Sequence, residues 1–423
     1  MLADLSPLRE SHQYRLLFAG QVVSYTGRQF TVVAVPIQVF RQTHSSLAVG
    51  MVGLAVLGPL IGFSLVGGAL ADAVDRRRQL LAVQVLLLAT SVGLALNAGA
   101  AHPTLWAVYV LAACSAGLAG VDMQTRNAIV PNLVGRDTFP AAAALTQLVW
   151  QVGMVAGPVA AGAVIAHASL AAAYWIDGAT FVVAFLVTVP MHRLPPLGGG
   201  TRAGLASIAD GVRFLRGRRV LVSTFVIDVD AMVFGMPSAL FPALATSVFH
   251  GGDQTIGLLY AAPGAGALVG ALFSGWVGVV RRQGRAVAVA VLGWGVAIVA
   301  FGLVRWLPLA LVLLAVAGAA DVVSAVFRNT ILQLSVPDAV RGRLSGIHIA
   351  VVAGGPRLGD AEAGAVAALT TPRISVVSGG LACIAGVLLL LRIVPEFARY
   401  DVQDSPVYSL DGPTPATKGE PHG

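Results

Sequence analysis

Residues 47–78 read LAVGMVGLAVLGPLIGFSLVGGALADAVDRRR. From Leu47 to Ala71 there is no Asp, Glu, Lys or Arg, and a helix needs only ~20 such residues to cross the hydrocarbon core of a bilayer. The run is continuous and lacks the in–out alternation of a barrel strand, so it reads as a helix that satisfies its own backbone. It ends on Asp72, Asp75 and the arginines Arg76, Arg77 and Arg78, charges that belong among headgroups or in water.

Outward from this stretch the same reading repeats. Apolar runs fall near residues 14–40, 47–71, 79–99, 104–128, 140–166, 170–190, 219–246, 255–280, 286–304, 307–332, 343–369 and 374–395, which predicts twelve spans. Hydrophobic residues make up 57% of the 423-residue chain and charged residues 11%. A water-soluble fold of this size could not cover so much apolar surface with so few charges. The expected fold class is an all-α integral membrane bundle. Residues 1–15 are polar and the first apolar run is too long for a signal-peptide core, so no cleavable leader is expected. Cys114 and Cys383 both fall inside spans and read as small hydrophobes, with no disulfide or zinc framework.

Arginines collect in alternate loops: Arg76 to Arg78, Arg136, a cluster from Arg193 to Arg219, Arg281 to Arg285, and Arg341 with Arg343. The intervening loops hold little beyond Arg41, Arg305 and Arg373. The positive-inside rule then puts both termini in the cytoplasm of a cell inner membrane protein. A nucleic-acid partner is excluded, because these cations form neither a continuous face nor an aromatic-interleaved patch.

The chain repeats itself at about half its length. Arg126-Asn127 recurs as Arg328-Asn329, Gly157-Pro158 as Gly355-Pro356, and Gly68 as Gly275, each about 200 residues on. This predicts two six-helix halves, residues 1–190 and 219–395, rocking about a midplane site as secondary transporters do. Between them, 191–218 reads as a cytoplasmic linker opened by Pro195-Pro196 and carrying a short amphipathic helix; 396–423 reads as a disordered tail.

Gly68-Ala-Leu-Ala-Asp72-Ala-Val-Asp-Arg76-Arg77 resembles the loop signature between the second and third helices of the major facilitator superfamily. Gly68, Asp72, Arg76 and Arg77 match it and are read as a conformational gate, while Ala73 and Asp75 depart from it. A degenerate echo runs from Gly275 to Arg285, with Val279 where the aspartate would stand. Gly153, Gly157, Pro158 and Gly162 resemble the antiporter motif of drug and proton exchangers, with Ala161 in place of one glycine. Small residues there admit a neighbouring helix and the proline allows a bend. Longer stretches, Ala34 to Gln38, Leu240 to Ala245, Ile256 to Ala262 and Gly355 to Gly364, resemble the enterobactin exporter branch. That resemblance implies the major facilitator fold and proton-driven export of a siderophore-like compound by alternating access, with broad multidrug or sugar efflux as the alternative. An arginine in the middle of the fourth helix, common in the superfamily, is missing here.

Charges retained inside spans are functional candidates because each costs about 2.5–3.5 kcal/mol to insert. Asp177, Asp228, Asp230, Asp360 and Glu362 are the proton-coupling candidates. Asp122 with Arg126, and Asp321 with Arg328, lie at one- and two-turn spacings suited to fixed ion pairs at helix ends. Arg357 before Asp360 offers a further pair. Arg28 suits an anionic cargo or serves as counter-ion to a buried acid; Tyr25, Trp150, Trp175 and Tyr260 either line the cavity or anchor at the interface. His348 either joins a relay or satisfies a local hydrogen bond. No phosphate loop, metal spacing or nucleophile elbow is present in the sequence, so the expectation is a monomeric transporter without cofactor or metal, its partners being the bilayer, protons and a small substrate.

Overall fold

A computed structural model describes residues 4–195, 213–273, 280–336 and 338–401. The amphipathic part of the linker, the echo motif from Gly275 and most of the tail fall outside the described residues, as do the side chains of Asp72 and His348. Among the described residues the chain is helical, without strands. After a short turn of helix at Ser6–Glu10 it runs through α1 (His12–Thr43), α2 (Ser46–Ala73), α3 (Arg76–Gly99), α4 (Leu105–Leu133), α5 (Phe139–His167) and α6 (Leu170–Thr188). Next come α7 (Arg219–Phe234), α8 (Asp253–Leu272), α9 (Gln283–Leu303), α10 (Leu307–Ser335), α11 (Asp338–Leu369) and α12 (Pro372–Ile393), closed by a short helix at Pro395–Arg399.

Local chemistry sets the boundaries. Side chains of Ser11, Ser45, Asp75, Ser169 and Thr371 accept the first free amides of α1, α2, α3, α6 and α12, the usual solution for a helix N-terminus. Helix α7 breaks at Gly235-Met236-Pro237 because proline cannot donate to the ladder. A 3-10 turn at Ser238–Leu240 and a second piece at Phe241–Ser247 continue the path. The Gly235 carbonyl exposed by the break accepts Trp294 Nε1–H at 2.9 Å.

Ten stretches are long and apolar enough to cross a membrane, α7 counting together with its continuation to Ser247. The exceptions are α1, which carries Arg15, Arg28 and Arg41, and α11, which carries Arg357, Asp360 and Glu362 among other charges. Both are 32 residues long and pack among the others.

Within the first six helices α1 packs on α5 and α6, α3 on α4 and α6, and α2 on α4; within the last six, α9 packs on α10 and α12, α8 on α10, and α7 on α11 and α12. Two seams join the sets, α2 with α11 and α5 with α8. Each seam is the image of the other when six is added to the helix number. Both seams are tightest at one end. A Cβ on Gly50 would lie 2.3 Å from the Asp360 carbonyl O, and one on Gly257 would lie 2.4 Å from that of Pro158. These contacts sit at the arginine-poor end, where the Arg41 and Asp253 side chains also form an ion pair, N···O 2.5 Å. Toward the arginine-rich end, a Cβ on Gly58, Gly62 or Gly68 of α2 would meet nothing within 4 Å.

Candidate functional site

A cavity of about 210 Å³ opens among α1, α4, α5 and α6. From α1 it receives Gln21, Ser24, Tyr25 and Arg28; from α4, Asp122, Met123, Arg126 and Asn127. Thr146, Gln147 and Trp150 of α5 and Phe181 of α6 complete the wall. Tyr25, Arg28, Trp150, Asp122 and Arg126, singled out in the sequence for different reasons, thus share one site.

Its geometry is specific. The Tyr25 and Trp150 rings stack with centroids 5.3 Å apart and 14° between planes. The Arg28 guanidinium lies over the Tyr25 ring, 5.1 Å from its centroid, a favourable cation–π placement. Arg126 Nε donates to Asp122 Oδ2 at 2.9 Å, while its terminal nitrogens reach the Leu17 carbonyl at 3.5 Å and Ser24 Oγ at 3.4 Å.

The antiporter-like glycines explain how α1 comes so close to α5. A Cβ on Gly153 would collide with the Tyr25 ring at 2.6 Å, and one on Gly157 with the Gln29 side chain at 2.4 Å. Gly162 faces the other way, toward α8, where its Cβ would lie 2.9 Å from the Gly257 Cα. One helix therefore serves both the cavity and a seam.

The remaining acids lie elsewhere. Asp177 is 1% exposed between α1, α3 and α6; its Oδ2 accepts from Thr31 Oγ1 at 2.6 Å and Ser91 Oγ at 2.9 Å, and its Oδ1 accepts nothing among the described residues. Asp228 pairs across helices with Arg328, N···O 2.8 Å, while Asp321 stands 3.9 Å from the same guanidinium. Arg328 also donates to Ser324 Oγ at 3.0 Å. Asp230 turns toward α12 and fills the space left by Gly386. Asp360 Oδ1 accepts from Ser238 Oγ and from the Ala239 amide at 3.0 Å, and Arg357 lies 3.7 Å from its Oδ2. Glu362 has no ion-pair partner among the described residues. Tyr260 sits outside the cavity, its hydroxyl donating to the Ser238 carbonyl at 3.0 Å.

In the α2–α3 loop, buried Arg76 donates to the carbonyls of Ala71 and Ala128, each at 3.0 Å, tying α3 to the ends of α2 and α4. Arg77 donates to the Val189 carbonyl, and Gln79 Nε2 to that of Gly67 at 2.9 Å. A Cβ on Gly68 would meet nothing within 4 Å. Among the described residues no group of His, Cys, Asp and Glu is arranged to hold a metal ion.

The family model that matches is described as transmembrane secretion effector and covers residues 2–413. The enterobactin exporter EntS of Escherichia coli O157:H7 is 32% identical over 412 residues, 97% of this chain and 99% of the relative. Its namesake from Shigella boydii serotype 18 is 32% identical over 400 residues, 94% and 96% of the respective lengths. Among solved structures, a point mutant of the nucleoside transporter NupG matches with TM-score 0.70 at 12% identity, covering 90% of this chain and 98% of the other. A bacterial homologue of the lysosomal transporter Spinster, inward-facing and unoccupied, matches with TM-score 0.67 at 14% identity over 96% and 99%.

Proposed function

Because the chain belongs to the transmembrane secretion effector family of the major facilitator superfamily, we propose that it exports a small siderophore-like molecule across the inner membrane in exchange for protons. The chain is a transporter and not an enzyme. In this reading α1 and α11 cross the bilayer with the other ten, the halves 1–190 and 219–395 each hold six spans, and both termini are cytoplasmic. Residues 191–218 connect the halves along the inner surface. The chain works as a monomer.

The observation that carries the reading is the pairing of a polar, aromatic cavity with seams packed shut at the arginine-poor end. By the positive-inside rule that end is the outer one, so this arrangement receives cargo from the cytoplasm. Release then requires the α2–α11 and α5–α8 seams to part and the arginine-rich end to close, with Gly68, Asp72, Arg76 and Arg77 as the inner gate. Asp228 and Asp177 are the carriers we assign to the proton, each a carboxylate buried inside a span. Asp360 instead holds the restart of α7.

Deleting the gene and measuring secreted siderophore beside drug sensitivity tests the export reading. Lost siderophore secretion supports it; unchanged secretion with drug hypersensitivity replaces it with broad drug efflux. For coupling, reconstituted Asp228→Asn and Asp177→Asn proteins should lose proton exchange, and wild-type exchange in both removes them as carriers.

A further inference from the structure

We propose that Tyr25, Trp150 and Arg28 form a subsite for a planar aromatic anion, positioned by Gly153; that its occupant is the cargo rests on the exporter reading.

The argument begins with a difference between the repeats. Arg126 in α4 meets Asp122 one turn back in its own helix and Ser24 across the interface in α1. Arg328 in α10 meets Ser324 one turn back and Asp228 across the interface in α7. Acid and serine have exchanged places around equivalent arginines. In the second set, therefore, α7 brings a carboxylate that encloses the guanidinium, and Arg328 is only 4% exposed by side chain. In the first set the acid is spent within α4, and α1 brings a hydroxyl in its place.

The consequence falls on Arg28, one turn further along α1. The charged groups lining the cavity are Arg28, Arg126 and Asp122, so the pair at Asp122 leaves Arg28 without an ion-pair partner among the lining residues. Arg28 has no carboxylate within ion-pair distance among the described residues. Asp177, behind α1, attracts Arg28 through space, but its carboxylate is hydrogen-bonded by Thr31 and Ser91 and forms no ion pair with the guanidinium. A cation held over an aromatic face beside an open cavity attracts an anion, and its planar fork suits a carboxylate or an ortho-oxygenated ring.

The stacked rings supply the second half of the selection. Tyr25 is 8% exposed and fixed between Trp150, Arg28 and the bare backbone of Gly153. Trp150 is only part-buried at the cavity wall, where a flat ligand can extend the stack at offset-ring spacing. Amides of Gln21, Asn127 and Gln147 around the rings match hydroxyl or amide groups on such a ligand.

The test uses radiolabelled salicylate with the purified full chain in nanodiscs. Salicylate should bind, cyclohexanecarboxylate should compete poorly, and benzylamine should not compete. Arg28→Gln and Trp150→Ala should each weaken salicylate about tenfold, Trp150→Phe should restore most of the affinity, and Gly153→Val should lower it by displacing Tyr25. Equal competition by benzylamine on the wild-type protein, or unchanged affinity in a folded Arg28→Gln, overturns the subsite. If salicylate fails to bind while gene deletion abolishes siderophore secretion, the subsite falls and the exporter reading stands. Salicylate binding with unchanged secretion does the reverse.

Discussion

A leucine in place of Gly257 should keep the outer seam from closing. Gly257 lies where α8 crosses α5, and any Cβ there would stand 2.4 Å from the Pro158 carbonyl O, 2.9 Å from the Gly162 Cα and 3.1 Å from the Gly162 amide N. Ordinary van der Waals contact begins at 3.4 Å, so the helices fall short of the room required by about 1 Å before the branched end of the leucine is placed. Every opposing atom is backbone, and no side chain can rotate out of the way. Overpacking of this kind costs about 1–3 kcal/mol. Imposed on only one of two conformations, it shifts their ratio about 5- to 150-fold toward the other. Gly252, with nothing within 4 Å, provides the matched control. With Cys114 and Cys383 replaced by serine, a single reporter at Gln147→Cys in the cavity wall can be challenged with a membrane-impermeant maleimide from the outer face. Labelling should rise in Gly257→Leu and stay at the wild-type level in Gly252→Leu. Equal labelling in both, with transport intact, would refute the claim that this seam is the outer closure.

Other perturbations follow from the same geometry. Asp228→Asn leaves the buried guanidinium with only the longer contact to Asp321 and the Ser324 hydroxyl and should lower the thermal unfolding midpoint by the equivalent of up to about 3–5 kcal/mol, whereas the double variant Asp228→Asn with Arg328→Gln should recover most of it; a double variant as unstable as the single one would remove the pair as the cause. Arg76→Ala leaves the carbonyls of Ala71 and Ala128 without their donor and should cost about 1–3 kcal/mol in detergent melts, with Arg76→Lys recovering only part because an ammonium lacks the guanidinium's fork. Arg41→Ala, at a pair whose arginine side chain is 49% exposed, should change stability by no more than about 1 kcal/mol and lose even that at high salt.

What could be read from the sequence was what depends on neighbours in the chain. Apolar runs locate helices because each span must satisfy its own backbone, and even α1 and α11, interrupted by charge, emerge from their flanks. The Asp122–Arg126 contact was legible for the same reason, since one helical turn separates the two. The Asp321–Arg328 spacing was legible too, yet the arginine lies closer to Asp228, 100 positions away in the chain. No periodicity encodes that choice. Asp177 looked isolated because its own helix offers no basic residue; its partners are hydroxyls on α1 and α3, which only packing brings together. Tyr25 and Tyr260 were alike in the sequence, but one stacks in the cavity wall and the other reaches across to the break in α7.

Asp360 works at both of its ends. Its carbonyl O occupies the space a side chain on Gly50 of α2 would need, while its carboxylate accepts Ser238 and Ala239 where α7 restarts. The α2–α11 seam and the restart of α7 thus meet at a single residue. In the proposed cycle, parting α2 from α11 should therefore also strain the hydrogen bonds on which α7 restarts.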